Sequence, residues 1–239
     1  LFHLEGDDPY DKFLPKISSV IAKIVILYLF LTVFLLVLYF SYGMNFFDAL
    51  THSFTTISTG GFSTHDQSFA YFQNNSILII AIIFMVIGSL PFLVIAQTTI
   101  SNIFATFKDH QVQIFFSILI VSIVLIYFFA EKYIEGNIEH KIISISFNTI
   151  SIISGTGFVS ENFESWGNYA SVLFLILMFI GGCAGSTTGG LKVFRFQILF
   201  KYLGLHFKKM LQPHAVLASY FNNKSIPDST YESVMSFFF

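Results

Sequence analysis

Ser58-Thr59-Gly60-Gly61-Phe62 and, 96 residues later, Ser154-Gly155-Thr156-Gly157-Phe158 are the stretches that decide how this chain folds. Ile57 precedes the first and Ile153 the second, so the match begins before the glycines. Ahead of each lies an apolar segment, residues 46–57 and 141–153, only about a dozen residues long. A membrane-spanning helix needs about 20, so segments this short predict re-entrant or interfacial helices. Four flanking segments are long enough to span: roughly residues 20–42, 77–97, 112–130 and 170–200. A shift of 96 lays the first span on the third and the second on the first part of the fourth. The unit is helix, short helix, Gly-rich loop, helix, and it occurs twice.

Composition names the solvent. Of 239 residues, 54% are hydrophobic and 11% charged, with a mean hydropathy of +0.73. An ordinary soluble domain carries about 25% charged residues, so this chain lacks the polar residues to cover its own surface. Phe alone supplies 32 residues, and Phe, Leu and Ile occur in long runs without the polar residues that return every turn in a soluble amphipathic helix. The single Cys183 excludes an intrachain disulfide and a Cys-rich metal site, and it reads as a small packing residue. The chain begins at Leu1 in a charged stretch and stops inside an apolar run ending at Phe239. Both ends read as cut, and the expectation is a fragment of a longer protein.

Charge placement gives orientation. With the N-terminal tail inside and each span crossing once, Lys12, Lys16, Lys23, Lys108, Lys192, Arg195, Lys201, Lys208, Lys209 and Lys224 lie inside. Lys132 and Lys141 lie outside, a ratio of ten to two that satisfies the positive-inside rule. The short helices and Gly-rich loops therefore face the outside.

The loops have the composition of a cation pathway. Irregular backbone inside a bilayer is tolerated where it is buried in protein or lines a water-filled cavity. Aiming successive carbonyls at one axis requires backbone angles that Gly reaches without steric cost. Such carbonyls replace the hydration shell of a dehydrated ion. Ser58, Thr59, Gly60 and Gly61 in the first loop, and Ser154, Gly155, Thr156 and Gly157 in the second, are the candidate ion-binding residues. Phe62 and Phe158 are expected to wedge each loop against its neighbours. Neither loop holds an acidic residue, which favours a weakly hydrated monovalent ion over a divalent one. Each short helix, descending from outside, aims the negative end of its dipole at the same cavity. His52 and its equivalent Asn148 are expected to brace those helices through hydrogen bonds. Asp66, beside His65 beyond the first loop, either draws cations to the mouth or is simply solvated. Glu131, Glu135, Glu139, Glu161 and Glu164 add outer negative charge.

The fourth span is interrupted by Gly181-Gly182-Cys183-Ala184-Gly185-Ser186-Thr187-Thr188-Gly189-Gly190. Five glycines in ten residues do not hold a helix when each costs up to about 1 kcal/mol relative to Ala. Unwinding into a cavity-lining loop competes with a Gly-rich helix-packing face; the paired glycines and the Ser186-Thr187-Thr188 run favour unwinding. Lys192 and Arg195 read as inside anchors of the helix end, or as contacts to the pathway entrance or a cytosolic partner. A phosphate-binding loop is excluded, because Leu191 stands where its lysine must follow the second Gly. An intramembrane enzyme is disfavoured, since no nucleophile–base pair or zinc-protease motif is present.

These stretches resemble the Trk/Ktr/HKT superfamily of potassium transporters, and within it the TrkH-type uptake subunits. Leu14-Pro15-Lys16-Ile17, His52 through Asp66, Ser151 through Phe158 and Gly181 through Val193 carry the likeness, which spans almost the whole chain. The resemblance implies an all-α membrane protein with two tandem helix–pore-helix–filter-loop–helix repeats, the second and third of four around one pore. It implies filter glycines at Gly61 and Gly157, and an intramembrane gate at Gly181, Gly182, Gly185, Ser186, Thr187, Thr188, Gly189 and Gly190. The organisation then reads as a cytosolic segment 1–19, a first repeat 20–97 with filter 58–63, a linker 98–111, and a second repeat 112–200 with filter 154–158. Residues 201–239 are a linker and the start of a further repeat at 231–239. The implied setting is the bacterial inner membrane, filter loops toward the periplasm, with potassium as the transported ion, by passive passage or symport. Implied partners are membrane lipid, the remaining repeats of the same protein, a second copy in a homodimer, and a cytosolic nucleotide-binding regulatory subunit. No cofactor and no nucleic acid are expected. The competing reading is a two-repeat channel subunit that dimerises to complete the pore.

Overall fold

A computed structural model of the protein describes residues 14–97, 107–212, 220–221, 224–225 and 234–236. Residues 1–13, residues 98–106 of the first linker and most of 213–239 lie outside the described residues, and of the start of the further repeat only 234–236 are described. The architecture is helical, apart from a two-residue antiparallel pair, Tyr220–Phe221 with Lys224–Ser225. That pair lies after both repeats and leaves the all-α reading of the membrane region intact.

The first repeat is α1 (Leu14–Ser41), α2 (Phe46–Ile57), α3 (Asn75–Ser89) and α4 (Phe92–Gln97). The second is α5 (His110–Ala130), α6 (Ile138–Ile153), α7 (Asn168–Met178) and α8 (Val193–Leu211). Asn and Asp set several starts: Asn45, Asn74, Asp109 and Asn137 each accept a hydrogen bond from a backbone N–H in the first turn of α2, α3, α5 and α6. The short helices α2 and α6 end on Ile57 and Ile153, the boundaries the sequence predicts.

Ser18–Ser41 and His110–Tyr133 are long and apolar enough to cross a membrane, with mean hydropathies of 2.8 and 2.6. The most apolar windows are only 17% and 28% buried within the protein, whereas the core helix of a soluble protein hides most of its surface. The apolar faces of α1, among them Ile26, Phe30 and Val33, point away from the rest of the fold.

The second and fourth spans are not continuous. The break in the fourth at 179–192 is expected, but the second was read as one helix over 77–97 and is broken at Leu90-Pro91. Leu90 is extended (φ −85°, ψ 159°), the geometry forced on a residue before proline, and Pro91 brings no N–H to continue the ladder. The 96-residue shift carries Leu90 onto Ser186, inside the break of the fourth span. Both repeats thus interrupt the same helix at the same level.

α1 packs on α2 and α5 on α6, while α3 packs against α6 and joins the repeats. Phe69, Phe147 and Phe158, all buried, form the aromatic centre of that junction, with Phe69–Phe158 ring centroids 4.5 Å apart and Phe69–Phe147 5.2 Å. Nearby, Ala70 N–H donates to the Val159 carbonyl and Val159 N–H to Ser68 Oγ, so the chain beyond the first Gly-rich loop is pinned to that beyond the second.

Candidate functional site

Each Gly-rich loop hangs from the C-terminus of its short helix. Ser58 N–H donates to Phe54 O, Thr59 N–H to Thr56 O and Gly60 N–H to Thr55 O. In the second repeat Ser154 N–H donates to Ile150 O, Gly155 N–H to Ile152 O and Gly157 N–H to Ser151 O. The amides thus turn back onto the helix ends. Among the described residues, the carbonyls of Thr59, Gly60, Gly61, Gly155, Thr156 and Gly157 accept no hydrogen bond. A run of unpaired carbonyls is what dehydrated cations require.

Left-handed backbone occurs at the same two positions in both loops: Thr59 (φ 50°) and Gly61 (φ 69°) in the first, Gly155 (φ 69°) and Gly157 (φ 85°) in the second. The loops meet in backbone contact, because a Cβ on Gly61 would lie 1.7 Å from the Thr156 carbonyl oxygen. All eight residues expected to bind the ion therefore share one locus. Ser58, Gly60, Gly155 and Gly157 are exposed, Gly61 is half-buried, and Thr59, Ser154 and Thr156 are buried.

The interruption of the fourth span is a folded loop packed beside these strands. Its neck is closed by Gly181 N–H donating to Leu191 O (2.8 Å) and Val193 N–H to Gly182 O (3.1 Å). A Cβ at Gly181 would sit 2.2 Å from Gly189 O, so only glycine fits there. Thr59 Oγ1–H donates to Thr187 O at 3.1 Å, so the loop touches the first Gly-rich strand. A Cβ at Gly155 would lie 3.6 Å from Gly189 N, so the loop comes within side-chain reach of the second.

The break in the second span receives the loop from the other side. Thr187 N–H and Oγ1–H both donate to Gly88 O (3.1 and 3.0 Å), and Cys183 N–H donates to Ser89 O (2.9 Å). Phe92 N–H, freed by the break, donates to Gly185 O at 3.0 Å. Ala184 N–H donates to Gln111 Oε1 (3.1 Å), which ties the loop to the start of α5. The helix ends at Pro91 and the loop satisfy each other's orphaned backbone groups, as non-helical backbone at membrane depth requires. The sequence reading missed this partnership; Pro91 was its available signal.

Side-chain braces hold the chain beyond each loop. His52 Nδ1 pairs with Asp48 O (2.8 Å) and Nε2 with Ser63 Oγ (2.9 Å). Asn148 Nδ2 donates to Ser160 Oγ (2.8 Å), while Ser160 N–H donates to Asn148 Oδ1 (3.2 Å). Both residues brace, as expected. The sequence reading passed over Asp48, which accepts from Thr64 Oγ1 (2.5 Å), Asn45 Nδ2 (2.8 Å) and His65 Nε2 (3.0 Å). Burial pushes this carboxyl up, but the hydrogen bonds from Thr64 and His65 and the charges of His65 and His52 outweigh it, so its pKa lies below the usual carboxylate value. Asp66 is exposed, and Glu161 is engaged by His140 Nε2 at 2.6 Å. Phe158 wedges between the repeats at 1% exposure, whereas Phe62 is 76% exposed among the described residues. Lys192, for which the sequence allows an anchor of the helix end or a contact at the pathway entrance, folds its ammonium back onto Ser186 and Thr188.

The model of the TrkH family, described as cation transport protein, matches residues 4–239. The chain belongs to the TrkH family. Among curated members it is 32% identical over its full length to the Trk system potassium uptake protein TrkI of Halomonas elongata, covering 49% of that protein. It is 33% identical over 95% of its length to the Trk system potassium uptake protein TrkH of Escherichia coli K12, covering 48% of it. The crystal structure of the potassium transporter TrkH from Vibrio parahaemolyticus superimposes with a TM-score of 0.86, at 31% identity, over 96% of this chain and 50% of that one. This TrkH-family chain is a membrane protein, and it spans about half the length of the curated relatives it matches.

Proposed function

We propose that this chain supplies two of the strands of a potassium-selective pathway and the gate beneath them, in a protein that takes up K+ across the bacterial inner membrane. The observation that carries this reading is the junction of the two Gly-rich loops. They meet in backbone contact, share left-handed positions and present unpaired carbonyls at the ends of two re-entrant helices. The relatives named as potassium uptake proteins support the choice of ion.

In this reading residues 20–97 and 112–200 are the two pore repeats, joined by a cytosolic linker at 98–111. Residues 1–19 and 201–239 are cytosolic, the last also opening a further repeat. Ser58, Thr59, Gly60, Gly61, Ser154, Gly155, Thr156 and Gly157 line the filter and face the periplasm, in keeping with the positive-inside count. The loop from Gly181 to Gly190 is the gate. Relatives twice as long favour the remaining repeats lying in the same polypeptide rather than in a second copy of a two-repeat subunit. A homodimer and a cytosolic nucleotide-binding subunit complete the assembly.

The test is K+ and Na+ flux into liposomes for the full-length protein and its Gly61→Ser and Gly157→Ser variants. K+ flux is expected to exceed Na+ flux, and either substitution to erode the preference. Folded variants with unchanged flux and preference mean that the loops are structural hairpins, and the reading is wrong.

A further inference from the structure

Lys192 makes an unusual bond set for a lysine at the end of a membrane helix. Such a side chain ordinarily stretches its stem toward the interface and leaves its charge in water. Here Nζ turns inward, donating to Thr188 O, to Thr188 Oγ1 (3.0 Å) and to Ser186 Oγ (3.3 Å). Three ammonium donors thus meet three acceptors, and all three are neutral oxygens of the gate loop. Among the described residues no carboxylate pairs with it.

Those oxygens also hold the loop's own shape. Thr188 Oγ1 accepts from Gly182 N–H (3.0 Å) and pairs with Ser186 Oγ (2.7 Å), which donates to Cys183 O (2.6 Å). The ammonium therefore ties together the two sides of a loop that its glycines would otherwise leave pliable. The tied loop is the one bonded to Thr59, and lying close to Gly155, at the base of the filter strands.

We propose that Lys192 is the latch of the gate loop: a tethered cation whose ammonium fills an oxygen cluster on Ser186 and Thr188, keeps the loop folded beneath the filter, and leaves that cluster when the loop retracts. Lys192 acts through the loop and is a positioning residue, not a ligand of the ion. The inference rests on the permeation reading given above.

The experiment measures K+ and Na+ flux in liposomes for the full-length protein and its Lys192→Met and Ser186→Ala variants, normalised to monodisperse folded protein, with no partner or nucleotide added. Removing the charged hydrogen bonds with Lys192→Met is expected to raise resting K+ flux about tenfold. Removing one neutral acceptor with Ser186→Ala is expected to raise it about two- to threefold, and in both the K+/Na+ preference stays at the wild-type value. A merely structural lysine predicts falling flux together with falling thermal stability. Wild-type or reduced flux from folded Lys192→Met overturns the latch; if that variant does not fold, wild-type flux from Ser186→Ala overturns it. The glycine variants in the same assay keep the two ideas apart. Eroded preference in Gly61→Ser with unchanged flux in Lys192→Met rejects the latch alone, whereas unchanged preference in both glycine variants rejects the pathway itself.

Discussion

The two repeats solve one mechanical problem with different chemistry. Each must hold a strained loop at the end of a short helix, and each does so with a residue at the same repeat position, His52 or Asn148. In the first repeat the brace is ionisable: Asp48 at the centre, His52 and His65 around it, and Tyr71 stacked on His65 at 3.6 Å. In the second, Ser144 stands in place of Asp48 and bonds Ser160 Oγ at 3.1 Å, so the brace is neutral. The first left-handed position of each loop also differs, being Thr59 in one repeat and Gly155 in the other. A common backbone therefore does not require common side chains; it requires that every turned-back group finds a partner.

The sharpest way to break the comparison is at the paired phenylalanines. Phe158→Ala in the full-length protein is expected to cost about 3–5 kcal/mol, read as a fall in melting temperature, because a fully buried ring leaves a cavity. Phe62→Ala is expected to cost a comparable amount, since the repeat puts its ring where a further repeat of the whole protein would cover it. A near-neutral Phe62→Ala shows that the wedge belongs to the second loop alone.

The loop glycines come next. A Cβ at Gly61 meets the Thr156 carbonyl at 1.7 Å, whereas at Gly157 nothing lies within 4 Å. Gly157→Ala then bears only the left-handed penalty of about 1–2 kcal/mol, while Gly61→Ala also forces two backbones apart and is expected to lose more stability and more K+ preference. Equal effects in thermal unfolding and flux assays defeat the asymmetry.

The braces separate by pH. Asp48 lies in the first turn of the short helix α2, outside the spanning segments, and its folded pKa is lowered. Its contribution is fully present above the unfolded value of about 3.9 and is lost as pH falls through the folded value. Melting temperature followed downward from about pH 5 should therefore drop more steeply in wild type than in Asp48→Asn. At neutral pH Asp48→Asn is expected to cost about 1.5–3 kcal/mol, as charged hydrogen bonds do, against about 1 kcal/mol for Ser144→Ala. Parallel pH curves for wild type and Asp48→Asn eliminate the ionisable brace.

The smallest effect is expected at Thr59→Gly. It relieves left-handed strain but loses the hydroxyl bond to Thr187 O, so the net change should stay within about 1 kcal/mol. Gly155→Thr has no such offset and is expected to be the more damaging exchange in the same unfolding measurement.

Much of the fold is legible in the sequence because it rests on local quantities. Apolar run length separates α1 and α5 from the short α2 and α6, and the 96-residue repeat aligns Gly61 with Gly157. Pro91 was legible too, yet the apolar run around it concealed the break. For Lys192 the sequence leaves a helix-end anchor and a contact at the pathway entrance both open, because spacing places the cation but not its acceptors.

The sequence by itself determined the bilayer as solvent, the repeated unit, the re-entrant segments and the glycines that permit left-handed backbone. These follow from composition, length and spacing, which act over a few turns of chain. Only the tertiary structure decided which groups complete one another. Thr59 meets Thr187 across 128 positions, and Thr187 meets Gly88 across 99. It also decided that Phe158 is buried while Phe62 is open, and that Lys192 turns into the loop. Buried backbone groups must find partners, and which partners are within reach is set by how helices dock, not by any local spacing.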